Sequence, residues 1–278
     1  MNTLGPIYVT DLFPGLESRL IELLKSLSDD DWRRPTICAR WDVKDIAAHL
    51  LDGNLRRLSV SRDHYFGDKP ENINSYQDLV DYLNRLNADW VKAARRISPR
   101  ILIALLESTG TEVYELFKSL DPHGPAVFPV AWAGEERSEN WFDIAREYTE
   151  RWHHQQQIRL AVNRPGIMER ALYFPVLDTF MRALPFTYRN VMADDGTLLK
   201  FRITGESGGA WFLARCNQQW QLIKDAEGPI QSEVTLSQQI AWRLFTKGIN
   251  KEAARAEMTI MGDEKLGGEI INMLSVMA

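Results

Sequence analysis

The sequence predicts a two-domain α+β protein, and three observations predict it. Up to about residue 165, apolar side chains recur at three- and four-residue spacing, the period of amphipathic helices. Beyond "NRPG" the pattern shortens to β-prone runs punctuated by Gly, Asn and Asp. With 278 residues the chain also exceeds what one small core needs. The expected division is a helical bundle over residues 1–165, then a bridging helix and small α+β domain over 166–278.

Each element has a local reason. "DLFPGLESRLIELLKSLS" carries Leu16, Leu20, Leu23, Leu24 and Leu27 on one stripe. "DDDWRRPTICARW" interrupts it, and Asp42 is a plausible N-cap for a helix running to Tyr65. The polar linker "FGDKPENINS" precedes "YQDLVDYLNRLNADWVKAARRI". Pro99 breaks or bends the path before "RILIALLESTGTEVYELFKSL", and the loop "DPHGPAVFP" follows. A last bundle helix extends from Asn140 to about Val162, giving four or five antiparallel helices in all. In the second half, "IMERALYFPVLDTFMRALPFTYRNV" is read as one bridging helix. "TLLKFRITG", "GAWFLARC" and "QWQLIKD" form a meander, and "SEVTLSQQIAWRLFTKG" and "AEMTIMGDEKLGGEIINMLSVM" each form a strand followed by a helix.

Composition narrows the function classes. A net charge of -5 argues against non-specific nucleic-acid binding, and the nine tryptophans lack the interleaved basic residues of a base-stacking platform. No apolar run approaches the roughly 18 residues of a membrane span, and "NTLGPIYVTD" after Met1 lacks the regions of a secretory signal. Cys38 and Cys216 form no CxxC pattern, so a reduced cytoplasmic chain is expected.

The stretch "EYTERWHHQQQIR", Glu147 to Arg159, carries the chemistry. Stepping about 100° per residue from Ile158 sets His154 on the apolar stripe with Glu150 one turn before it. His153 falls about 140° from Ile158, on the opposite side, facing solvent or another surface. A carboxylate inside a bundle needs a compensating charge, and carboxylate plus neutral imidazole is a zinc ligand pair. Of the five histidines, His64 ends its helix and His123 sits in a loop. His49 lies mid-helix in "DIAAHLLDGN", and Gly53 one turn on removes a side chain from beside it. His49, Glu150 and His154 would give three protein ligands and an open position, the pattern of a catalytic zinc. The alternatives are a hydrogen-bonded core histidine and a chance ExxxH pair.

"PTICARWDVKDIAAHLLDGN" and "EYTERWHHQQQIRLAVNRP" resemble the corresponding helices of the DinB-like, mycothiol-dependent maleylpyruvate isomerase family. "AWRLFTKG" and "TIMGDEKL" are similar to that family's small C-terminal domain, of sterol-carrier-like shape. The resemblance implies a DinB-like four-helix bundle in which His49, Glu150 and His154 hold a divalent metal, zinc before nickel. It further implies a low-molecular-weight thiol cosubstrate, mycothiol or similar, held as thiolate by the metal. Adding to a small electrophile, that thiolate would support an isomerase or S-transferase. Anionic substrates would need cationic partners. Arg56, about 20° off the direction of His49, is the first candidate, and Arg243 in the C-terminal domain is the second. Glu147 would orient a ligand histidine or pair with an arginine. Trp41 and Trp141 open the two ligand-bearing helices as packing staples or pocket walls. The same ligand set would also serve a zinc hydrolase, and a third reading is a non-catalytic metal or small-molecule binding module.

Overall fold

The computed structural model describes residues 4–70 and 73–276. They divide into two compact units, one of residues 9–127 and 150–166, the other of residues 4–8, 128–149 and 167–276. Among the described residues no helix is long and apolar enough to cross a membrane.

The first unit is helical. α1 (Phe13–Lys25) turns Leu16, Leu20, Leu23 and Leu24 into the core, the stripe expected from its leucine spacing. α2 (Val43–Arg57) starts where the Asp42 carboxylate accepts a hydrogen bond from the Asp45 backbone N–H at 2.8 Å, while the Asp45 carboxylate accepts one from the Asp42 backbone N–H at 3.4 Å. This helix was expected to reach Tyr65. Instead it widens into a π-type turn over Leu58–Arg62 and stops before His64, whose φ of 56° ends the right-handed path. α3 (Tyr76–Ala94) is capped by Ser75, and α4 (Pro99–Ser119) by Ser98. Pro99 therefore starts a helix, in the first-turn position where a missing N–H costs nothing. α2 packs against α3 and α4, and α4 against α1. Trp90 of α3 donates its indole N–H to the Ala48 carbonyl at 2.7 Å. The final helix, α5 (Asn140–Ala161), is divided between the units, and its second half adds Ile158 to this core.

The second unit is built on a sheet. α6 (Arg170–Met181) and α7 (Leu184–Thr187) replace the single bridging helix expected, because the turn at Arg182 and Ala183 separates them. β1 (Leu198–Thr204), β2 (Gly209–Cys216) and β3 (Gln219–Ile223) form the expected antiparallel meander. β4 (Ser232–Ser237) then pairs parallel with β1, aligning Phe201 with Val234. α8 (Gln238–Phe245) and α9 (Lys251–Ala256) lead to β5 (Thr259–Gly262), and α10 (Glu264–Gly268) follows. The sheet order is β3-β2-β1-β4-β5. Between β2 and β3 the chain turns on Asn217 and Gln218 alone, with φ of 50° and 60°, the type I′ geometry whose twist matches the flanking strands. Phe201, Trp242, Phe245 and Phe180 are fully buried in this unit.

Candidate metal centre

The helical unit sets His49 against His154, and His154 against Glu150. His49 comes from the middle of α2, and Glu150 and His154 from consecutive turns of α5. The rings of His49 and His154 meet edge to face, with centroids 4.7 Å apart. His154 Nε2 lies 3.5 Å from Glu150 Oε2. The Trp41 indole closes one side, with its ring 4.8 Å from that of His49 and 6.4 Å from that of His154. Trp41 thus walls the cluster from just before the α2 cap. A methyl group at Gly53 would meet nothing within 4 Å, so open space adjoins the α2 backbone one turn beyond His49.

His153 does not face solvent. It is only 3% exposed, its ring centroid lies 3.9 Å from that of His154, and its Nδ1 is 3.9 Å from Glu150 Oε2. Donor atoms of Glu150, His153 and His154 all lie within 4.8 Å of one another. The single-stripe argument fails because α5 is buried on every side over Arg151 to Ile158. A helix surrounded by neighbours has no solvent face for the opposite residue to occupy.

Several polar groups of this stretch are met by specific partners, while Gln155 Oε1 is buried without one among the described residues. Arg151 Nη2 donates to Asn54 Oδ1 at 2.6 Å, and Asn54 Nδ2 donates in turn to Thr109 Oγ1 at 3.0 Å. Gln155 Nε2 donates to the Leu16 carbonyl at 3.1 Å. His154 Nδ1 sits 2.9 Å from Gln157 Oε1. Sequence reasoning overlooked Gln157 and misdirected His153. The available signal was compositional: "HHQQQ" contains only neutral hydrogen-bonding groups, which suit a buried helix better than Lys or Glu would.

The donor chemistry suits a divalent cation. One carboxylate, 24% exposed, lies among imidazoles, and a cation would supply the compensating positive charge. Cys38, in the loop before Trp41, is a poor alternative nucleophile, because burial pushes its thiol pKa up.

Arg56 lies two turns beyond His49. Its Nε is 2.9 Å from Asp52 Oδ2, and its Nη2 donates to Asn87 Oδ1 at 3.3 Å. Burial raises the Asp52 pKa, and the Arg56 charge works against that rise. Arg243 lies on α8 in the sheet unit, with its guanidinium 5.6 Å from the centroid of its neighbour Trp242. Glu147 pairs with Arg146 on its own helix at 3.1 Å, in the residues grouped with the sheet unit. Trp141, in the same segment, stacks on Phe142 at 5.0 Å.

Comparison with known proteins agrees with this architecture. The family model for the mycothiol maleylpyruvate isomerase N-terminal domain matches residues 13–159, more than half of the chain. Two solved structures of mycothiol-dependent maleylpyruvate isomerase, one of them a His-to-Ala variant, superpose with TM-scores of 0.52 and 0.51. Each is 11% identical to this chain, covering 84% of it and 86% of the solved chain, an identity that speaks to fold alone. An SCP2-type ubiquinone synthesis protein overlaps 35% of the chain at a TM-score of 0.24, too distant to bear on the C-terminal domain. No curated protein matches the sequence significantly. On the strength of the family match, the chain belongs to the mycothiol maleylpyruvate isomerase N-terminal domain family, with a two-domain α+β fold.

Proposed function

We propose that this protein is a metal-dependent isomerase or S-transferase that uses a low-molecular-weight thiol, mycothiol or a close analogue, against a small electrophilic substrate. The observation that supports the reading is the packing of the His49 ring on that of His154, about 100 residues away in sequence, with Glu150 facing His154 and Trp41 beside His49. Zinc is the preferred ion, since imidazole and carboxylate donors suit it and three protein ligands leave a position open for an incoming group. When bound, such an ion supplies the positive charge that keeps a coordinating thiol deprotonated at neutral pH.

The protein's own residues would do the rest. His49, Glu150 and His154 hold the ion, since side chains four apart on a helix converge and those one apart diverge by about 100°. His153 then packs beside His154 as a neighbour rather than a ligand. Trp41 excludes water from one side of the cluster. Arg56, held in place by Asp52 and Asn87, receives the anionic end of the substrate.

Zinc titration separates the possible ligand sets. Wild-type protein is expected to take up about one equivalent, the His49→Ala variant to lose at least about 100-fold in affinity, and His153→Ala to stay within about threefold of wild type. Equal losses from both variants would move the ion to the Glu150, His153 and His154 group. Activity on simple esters with no thiol present would replace the thiol reading with hydrolysis.

A further inference from the structure

His154 is held at both ring nitrogens by residues of its own helix. Nε2 faces Glu150 at 3.5 Å, while Nδ1 is 2.9 Å from Gln157 Oε1 on the following turn. Gln157 is 5% exposed, and its neighbours Gln155 and Gln156 are buried as well. An amide oxygen only accepts, so this contact puts the imidazole proton on Nδ1 and the lone pair on Nε2, directed toward Glu150.

We propose that Gln157 is the positioning residue of the metal centre, fixing His154 in the Nδ1–H tautomer so that Nε2 binds the divalent cation. This inference rests on the metal reading above. Histidine ligands characteristically donate their second N–H to an acceptor that sets ring orientation, and a carboxylate is a frequent choice. Here the acceptor is neutral. With Glu150 as the single anionic ligand, a divalent ion at the site keeps one net positive charge to offer an incoming thiolate. A carboxylate at position 157 would neutralise that remaining charge, so the amide serves both tautomer and charge.

The test is zinc affinity measured by competition with a chromophoric chelator, using purified full-length protein. Gln157→Leu removes the acceptor at similar volume and is expected to weaken zinc binding by about 10- to 100-fold. Gln157→Glu keeps an acceptor and the side-chain shape and is expected to bind within about threefold of wild type, or more tightly, so that the loss in the volume-matched leucine variant reports the acceptor and not packing. Gln157→Asn withdraws the acceptor by one methylene and provides a second loss-of-contact variant if the leucine protein does not fold. In metal-free wild type, nitrogen chemical shifts should identify one imidazole as the Nδ1–H tautomer, and that signature should disappear in Gln157→Leu or Gln157→Asn. A wild-type protein that takes up no zinc would sink the metal reading and this inference with it. Wild type that binds zinc, with the leucine and asparagine variants within twofold of it, would overturn the role of Gln157 alone.

Discussion

Helix α2 turns Ile46, Ala47, Leu50 and Leu51 into the core and leaves Lys44 and Arg56 half-exposed, whereas α5 has every residue from Arg151 to Ile158 buried, although six of these eight are polar or charged. Both helices supply the same cluster. The first follows the amphipathic rule. The second holds several of its polar groups by specific partners, Asn54 for Arg151, the Leu16 carbonyl for Gln155 Nε2 and Gln157 for His154, while Gln155 Oε1 is buried without one among the described residues. A buried polar helix has to be read bond by bond, since each unmet group would cost about 1–3 kcal/mol.

The largest test of this contrast concerns Glu17, on α1, which lines a cavity of about 230 Å³ together with Phe13, Tyr114 and Arg151. Desolvation pushes its carboxyl pKa from 4.5 up to about 7, despite an opposing effect from Arg151. Between those values the folded chain keeps a proton that the unfolded chain releases. Stability should therefore fall as pH rises from 4.5 to about 7, by roughly 3 kcal/mol in total at this site. Urea denaturation across that range should show a shallower decline for Glu17→Gln than for wild type. Parallel curves would mean that burial imposes no such cost on the Glu17 carboxyl.

A middle-sized effect is expected where the two helices are joined. Asn54→Leu removes the acceptor for Arg151 and the donor to Thr109, and should cost about 2–3 kcal/mol in chemical denaturation. A loss under about 0.5 kcal/mol would indicate that the polar network is dispensable. The smallest effect belongs to α2 alone. Asp42→Ala deletes the reciprocal cap with Asp45 and should lower stability by about 1 kcal/mol while leaving zinc affinity unchanged. A fall in zinc affinity there would mean that the α2 cap also sets the position of His49.

Much of the fold was legible because its signals are periodic. The leucines of α1, the cap at Asp42 and the three meander strands all announce themselves. The short α9 escapes notice, since a helix of 6 residues completes too few turns to establish a period, and the break before α7 is hidden inside the apolar run read as one bridging helix. The widened turn after Arg57 has no clear residue signature. At the site, spacing and family resemblance select His49, Glu150 and His154; in the structure His154 lies against both His49 and Glu150, while the donor atoms that lie within 4.8 Å of one another are those of Glu150, His153 and His154. His153 was misdirected because angle arithmetic on one helix assumes that the far side meets water. Gln157 is not legible in the sequence, because an amide three residues from a histidine matters only through the orientation of the ring.

The route of the chain has its own consequence. It passes between the compact units at residues 8/9, 127/128, 149/150 and 166/167, and Arg182 donates to the carbonyls of Leu4 and Gly5 near the N-terminus. No single cut therefore yields a fragment holding one whole unit and nothing of the other. During synthesis, the segment containing Ile7 must wait for residue 182 to emerge from the ribosome. Expression of the helical part alone, ended near residue 165, would leave residues 128–149 without the strands they are grouped with, so both units have to be kept together for biochemical work.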